Sequence, residues 1–436
     1  MYISTISEKG KTMFVSRFPR LFVLALLLAL LVTAPALAQD SVELSWITDL
    51  PGAEEVAARF TEYNPNITVR VDKVSFREVF QQNQIRLGSG SPEPDIVSVD
   101  APVVAAYGFR GWLLPLDDAF SQEQTDGWID ALYTSSMYDG QLLAPPIWNS
   151  AQVMYYNADL LEAAGITPPA PDERWTWEQV TEAAQALAND ADGDGVNDVW
   201  GLQFGQYNRI YQLQPIPESL PTAVLGDDAL TVEGIIDSED WVKAFTWFGD
   251  LHNALGVSPQ GGISSGELFR NSQLGIYVDG GWMINQFIGD PVDFAWGTAP
   301  HPYWEGGEIT VPGDSWHLGV NANTEHPEEA TAFVKFASSV EAGRIWFDVW
   351  GVWPAHEVMI QEMIDDPANA EWPNQAFVVA AGEAPYVTPR PLTVGYLEYE
   401  EILSDAFEDI RNGADVAEAL GQAAGRIQRE MDKYRP

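Results

Sequence analysis

The sequence predicts an α/β protein of two domains. Three observations carry that expectation. The chain has 436 residues and 46% hydrophobic content, more than one ordinary core needs and enough to bury two. Residues 42–100 alternate strand-like and helix-like stretches, the order that builds a parallel sheet. Residues 142–157 then break that order, because Pro145 and Pro146 bar a regular central strand or helix interior. Trp148, Asn149 and the compact apolar run 153–156 follow. The stretch reads as a first crossing between two domains, with Trp148 and Asn149 exposed in the gap.

Residues 1–38 read as a removable signal peptide. Lys9, Lys11, Arg17 and Arg20 form a basic start, residues 21–32 an apolar run too short for a comfortable membrane span, and Ala36-Leu37-Ala38 a small-x-small cleavage site. There is no cysteine, which excludes disulfides, a thiol nucleophile and lipid attachment through that residue. An exported protein, periplasmic or extracellular and without stable membrane insertion, is expected. The four basic residues of the signal region outnumber Glu8 by three, so its removal takes the formal charge from −42 to −45. Such a balance excludes nucleic acid, whose phosphates need Lys and Arg, and anionic membrane surfaces. Solubility in a salty or harsh medium is the plain explanation, and a cationic ligand is the sharper one.

Taken in order, residues 42–47 alternate like a strand. A helix over 53–64 puts Val56, Phe60 and Tyr63 on one face and stops at Pro65. Ile67, Val69 and Val71 alternate with polar residues as a second strand. Ser75 with Glu78 forms a capping box for a helix running to Gly88, and residues 96–99 make a short third strand ending at Asp100. Ligands gather at the carboxyl ends of such strands, which puts residues 46–49 and Asp100 near a cleft. After the crossing come a helix at 159–164 closed by Gly165, a helix capped by Thr176 and Gln179, and a helix over 239–255. Another helix is expected at 267–271 and a strand at 274–278, followed by Asp279-Gly280-Gly281-Trp282. An extended run at 294–299 offers a second crossing. Pro327 starts one or two helices to Val349. Residues 397–411 form a helix before Gly413, and Asp415 with Glu418 caps a final one whose Val416, Leu420, Ile427 and Met431 share a face. Residues 201–235, rich in Gly, Pro, Gln and Tyr, show no readable order.

Five constellations bear on chemistry. In residues 190–201, Asp190, Asp192, Asp194 and Asp198 stand at positions 1, 3, 5 and 9 of a calcium-type loop, Gly195 permits the sharp turn, and Val196 offers its carbonyl. The twelfth position is Gly201, so the usual bidentate acid is missing. A structural Ca2+ is the expectation, an acidic surface turn the alternative. Several of the 17 tryptophans sit beside glycine or polar residues: Trp148-Asn149, Gly281-Trp282, Ser315-Trp316-His317 and Trp350-Gly351-Val352-Trp353-Pro354. Flat indole faces stack on sugar rings while Asp, Asn and Arg bond the hydroxyls. A packed core position is the alternative for any one of them. Of the five histidines only His317, beside Trp316, is placed near a site, and no zinc spacing occurs. Residues 262–266 match G-x-S-x-G around Ser264, but a loop precedes them where the mechanism needs a buried strand. Carboxylate pairs for glycoside hydrolysis exist among 64 acids without a recognisable frame.

Several ordered blocks resemble one family. FTEYNPNITVRVDKVSFREVFQQNQIRLGSGSPEPDIVSVD (60–100), GFRGWLLPLDD (108–118), MYYNADLLEAAGI (154–166), QLGIYVDGGWM (273–283), HPEEATAFVKFASS (326–339) and EALGQAAGRIQREM (418–431) are similar to blocks of the extracellular solute-binding proteins of carbohydrate ABC importers, the family that includes maltose-binding protein. The resemblance implies a two-lobe periplasmic-binding-protein fold of type II with three interlobe crossings, near Asn149, Ala295 and Ser338. Lobe one would then be 40–149 plus 296–338, and lobe two 150–295 plus 339–436. It implies cleft positions near Trp46, Asp49, Asp100, Trp148, Asn149, Trp282, Trp316 and Trp353, with Arg390 in TPRPL bonding hydroxyls. The implied function is a non-enzymatic, monomeric receptor that takes a mono- or oligosaccharide between its lobes and delivers it to the transmembrane subunits of an ABC permease. A secreted glycoside hydrolase, a serine hydrolase on Ser264 and a receptor for a non-sugar solute are the alternatives. One departure stands out: the lipid-anchoring cysteine of many relatives from single-membrane bacteria is missing.

Overall fold

Two four-stranded sheets organise the chain. The computed structural model describes residues 41–314 and 316–435, and the expected signal peptide lies outside them. The first sheet is built from β1 (Val42–Thr48), β2 (Ile67–Lys73) and β3 (Ile96–Asp100), the second from β4 (Gln152–Asn157), β5 (Trp200–Phe204), β6 (Leu274–Gly280) and β7 (Trp296–Pro300), and β8 (Trp316–Val320) returns to the first. The orders are β8-β3-β1-β2 and β5-β6-β4-β7. β1 runs parallel to β2 and β3, and β8 is antiparallel to β3. In the second sheet β5 and β6 are parallel, while β4 is antiparallel to both β6 and β7.

Local chemistry sets the helices that cover these sheets. Ser75 donates from its N–H and its Oγ to Glu78 Oε2, both at 2.8 Å, and starts Phe76–Gly88. Thr176 and Gln179 form the same reciprocal cap for Trp177–Leu187. Asp415 Oδ1 accepts from the Glu418 N–H at the head of Val416–Met431. Each cap satisfies backbone donors that a helix start leaves open. The C-terminal pair Tyr396–Arg411 and Val416–Met431 packs on Glu239–His252, where Phe245 and Phe407 stack at 4.4 Å. No described helix is long and apolar enough to cross a membrane.

The chain passes between the sheets three times, and two of the passages differ from expectation. The first, at 149–151, is where the sequence placed it. The second comes after β7, since Trp296–Pro300 pairs with β4 in the second sheet, Tyr155 opposite Thr298. A boundary at 295 is therefore too early, and the passage follows Pro300, within 301–314. Gly297 allows that pairing, because a Cβ there would lie 2.2 Å from the Tyr156 ring. The third passage was expected near Ser338. Helix Val340–Trp350 instead stays on the first lobe, burying Ala342 and Trp346 with Trp46 and Trp148, so the chain leaves at 351–355. There Trp353 pairs antiparallel with Asn149, N–H to O at 2.7 and 3.2 Å, which lays the first and third passages side by side. Trp148 and Asn149 are not exposed, as the sequence suggested, but 2% and 1% accessible. Trp148 is held edge-on between Trp346 and Trp350, both at 5.1 Å, and Asn149 Oδ1 caps the Ala151 N–H.

Candidate functional site

A cavity of about 220 Å³ lies between the two sheets. It sits where β1, β3, β5 and β6 end and where β4 and β8 begin, the carboxyl edge at which open α/β sheets take ligands. One wall carries Asp49, just past β1, Asp100 at the end of β3, Phe76, Trp148, Trp316 and Trp350. The facing wall carries Gln206, Arg209 and Tyr211, beyond β5, and Trp282, two residues past β6. Ser150, Asp314, Val352 and Arg390 close the rim from the passages and the C-terminal segment.

Six aromatic rings thus face one small space. Trp282 stacks on Tyr211 at 6.2 Å and 20°. The Trp282 indole folds back over the strand end, and a Cβ on Gly280 would come within 2.0 Å of it. Gly281 similarly leaves room for Trp353 Nε1, 1.6 Å from where a Cβ would stand. Trp316 is wedged by Phe76 at 5.9 Å and Phe80 at 5.8 Å.

The charged groups of the wall are mostly matched to one another. Arg390, 5% exposed, donates from Nε to Asp314 at 2.8 Å and from Nη1 to Asp100 at 3.0 Å and Tyr396 Oη at 3.1 Å, with Nη2 also on Asp100. Burial pushes the Asp314 carboxyl up and Arg390 pulls it back down. Arg209 donates to Glu400 at 2.8 Å and to Gln206 at 2.8 Å, and its guanidinium lies 5.6 Å from the Phe76 ring centre. Asp49 differs. Its Oδ1 is buried without a hydrogen-bond partner among the described residues. Burial pushes its carboxyl up to about 6, opposed by its own backbone N–H and by Lys73 and reinforced by Asp100.

Of the residues singled out by sequence, Asp49, Asp100, Trp148, Trp282, Trp316 and Arg390 line this cavity. Trp46, Asn149, His317 and Trp353 do not. Trp46 faces the core of the first lobe, its indole N–H on Ser98 Oγ at 2.8 Å and its ring edge-on to Phe333 and Trp346. Strand alternation explains it, since Trp46 and Asp49 are three apart and leave β1 in different directions. His317 points the other way from its neighbour Trp316, with Nδ1 near Ala144 O and Ser136 Oγ. Trp353 packs against Phe377 at 5.9 Å. Asp100 and Arg390, expected to bond a ligand's hydroxyls, are instead bonded to each other. Sequence reasoning missed Phe76, Gln206, Arg209, Tyr211 and Asp314, while Trp350, one of the tryptophans beside glycine, does line the cavity. The NRIYQLQPIPE run, read as disordered in pattern, forms two single-turn helices, and Arg209 and Tyr211 at the first were its readable signal.

Elsewhere, Ser264 is a helix cap that accepts from the Glu267 N–H, at 3.3 Å. In the acidic loop, carboxylate oxygens of Asp190, Asp192 and Asp194 come within 4.8 Å of one another. Asp190 also accepts the Gly193 and Gly195 N–H groups, and Asp198 accepts the Ala191 N–H at 2.8 Å. Gly193 and Gly195 take φ of 77° and 90°, the turn the spacing required.

Comparison with known proteins agrees with this architecture. The model of the bacterial extracellular solute-binding protein family matches residues 45–344. A putative binding protein of Brucella abortus is 24% identical over 391 residues, 88% of this chain and 90% of that protein. The sn-glycerol-3-phosphate-binding periplasmic protein of Rhizobium meliloti is 24% identical over 411 residues, 89% and 94% of the two chains. The mannitol-binding protein of Pseudomonas aeruginosa is 23% identical over 349 residues, 75% and 76%. Among solved structures, an ABC substrate-binding protein of Listeria monocytogenes in complex with cycloalternan superposes with a TM-score of 0.79 at 22% identity, over 90% of this chain and all of that one. Two lobes, a cavity at the strand ends between them and a family match over most of the chain lead to one conclusion: this chain belongs to the bacterial extracellular solute-binding proteins, a family of receptors rather than enzymes.

Proposed function

We propose that the protein is the exported binding subunit of an ABC importer for a small carbohydrate. It takes the guest into the interlobe cavity and presents the closed form to the transmembrane permease subunits as a monomer, in the periplasm or outside the cell. The single observation that supports this most is the pair of aromatic walls: Trp148 and Trp316 on one lobe, Tyr211 and Trp282 on the other. Indole and phenol faces suit the apolar faces of sugar rings, and contacts to both lobes favour the closed state. A cavity of about 220 Å³ falls below the ~300–1,000 Å³ of sites for drug-sized ligands, which favours one sugar ring or an open-chain polyol over a long oligosaccharide. The hydrolase alternatives fit poorly, because Asp100 and Asp314 are bound to Arg390 and Ser264 caps a helix.

A thermal-shift panel of monosaccharides, polyols and maltodextrins tests the reading. Binding without turnover supports it, and Trp282→Ala is expected to weaken the hit more than about tenfold, ~1.4 kcal/mol, without unfolding the protein. Release of reducing sugar, or affinity untouched by that substitution, counts against it. A structural Ca2+ on Asp190, Asp192 and Asp194, with Asp198 and the Val196 carbonyl, belongs to the same proposal. Calorimetric titration with Ca2+ after chelation tests it, and a silent titration removes the ion from the description.

A further inference from the structure

The cavity wall carries more acid than base, with Asp49, Asp100 and Asp314 against Arg209 and Arg390. Arg390 is shared by Asp100 and Asp314, and Arg209 stands between Glu400 and, at 4.0 Å, Asp100. Asp49 alone lines the cavity with an oxygen that nothing described satisfies. The cation with influence on it, Lys73, is turned to Glu54 at 3.3 Å and to the Leu50 carbonyl. A carboxylate in partly dry surroundings costs free energy unless paired, and a neutral hydroxyl would satisfy its lone pair but leave its charge uncompensated. Trp282, Trp316 and Trp350 add aromatic surface, and the Phe76 and Tyr211 rings already hold the Arg209 and Arg390 guanidinium groups at 5.6 and 5.2 Å; π faces attract cations most strongly where water is excluded.

Resting on the carbohydrate reading, we infer that the guest is a hydroxylated amine, an amino sugar or amino polyol, whose ammonium is set against the Asp49 carboxylate within the ring of aromatic faces. The same balance works against anions. A phosphate monoester finds no uncommitted cation on the wall and meets three carboxylates, so sugar phosphates are excluded. The surplus of acid over base in the whole chain steers a cationic guest in the same direction.

The test uses matched pairs and the full chain. Calorimetry near neutral pH compares glucosamine with glucose, galactosamine with galactose, and N-methylglucamine with sorbitol, with glucose 6-phosphate as the anion. At least one amine is expected to bind about tenfold or more tightly than its hydroxyl partner, ~1.4 kcal/mol. Asp49→Asn should erase that preference, bringing each amine and its hydroxyl partner to within about threefold of one another, with unchanged far-ultraviolet dichroism showing that the variant folds. Neutral partners binding as tightly as amines, an amine preference that survives Asp49→Asn, or glucose 6-phosphate binding like glucose each overturn the inference while leaving a sugar receptor intact. Failure of every neutral and cationic probe overturns both readings.

Discussion

Arg390→Met removes the hub that ties the lobes together. The guanidinium is 5% exposed, and its partners Asp100 and Asp314 are 8% and 1% exposed at the side chain. Breaking a buried ion pair from one side costs ~3–5 kcal/mol, because the remaining charge stays dry and unmatched. Here Asp314 is stranded and Asp100 keeps only Arg209, at 4.0 Å, while Met keeps much of the contact with the Tyr211 and Tyr396 rings, 5.2 and 5.6 Å from the guanidinium. At ~2–4 °C per kcal/mol for a lobe of this size, the melting temperature should fall by about 6–20 °C. Lobe opening offers partial relief, since Asp100 sits on the first sheet and Arg390 is tied through Pro389 to Gln214 of the second lobe. Small-angle scattering should therefore show a larger radius. The sign with pH is fixed. Burial pushes the Asp314 carboxyl up and Arg390 pulls it back down, so without Arg390 its folded pKa stands above the unfolded ~3.9, and its contribution is favourable at low pH and is lost as pH rises. The gap to the parent protein should be small near pH 4 and widen toward 7. Adding Asp100→Asn and Asp314→Asn should restore most of the loss. A variant within ~1 kcal/mol of the parent at neutral pH, with unchanged scattering, would refute this account of the network.

The other expectations are narrower. Gly280→Ala places a methyl where the Trp282 ring lies, 2.0 Å away, and should weaken the bound ligand about as much as Trp282→Ala does; equal affinity to the parent would mean the ring has another resting place. Trp46→Phe should lower the melting temperature through the lost bond to Ser98 yet leave ligand affinity within about threefold, and a loss of tenfold, ~1.4 kcal/mol, would put Trp46 back at the site. His301 is held neutral by burial, with Arg174 adding to the effect, and its pKa falls to about 3. The unfolded chain takes up that proton near 6.5, so stability is lost as pH falls through that value toward the folded one. His301→Gln should lower stability at neutral pH but flatten the fall in melting temperature between pH 6.5 and 4.5, and an equal slope would show that other groups set it.

Element by element, the sequence was legible where periodicity and caps agree. The strand–helix alternation of 42–100, the box at Ser75 and Glu78, and the C-terminal helices with Leu420, Ile427 and Met431 buried all follow from local pattern. The passages were not legible, because membership in a sheet is a long-range fact. Nothing local in Trp296–Pro300 tells whether it pairs with Gln152–Asn157 or with the first sheet, and Val340–Trp350 carries no mark of the lobe that Trp346 will fill. At the site, Trp-Gly and Trp-polar neighbours found Trp148, Trp282, Trp316 and Trp350. The same rule misplaced Trp353, whose ring fills a core beside Phe377. Asp100 and Arg390 were found as residues but not as partners, since 290 positions separate them.

That partnership changes what drives closure. An ion pair as dry as Asp100–Arg390 is worth little net against its desolvation, so it fixes how the lobes meet more than how strongly they do. Moving a receptor from mostly open to mostly closed takes ~5.5 kcal/mol of differential binding. A guest touching Trp148 and Trp316 on one wall and Tyr211 and Trp282 on the other makes half of those contacts only when the lobes are shut. At ~0.5–1.5 kcal/mol per aromatic contact, the two gained on closing supply about 1–3 kcal/mol. The balance has to come from a stronger contact on the wall, and Asp49 is the charged group there that no other side chain has already claimed.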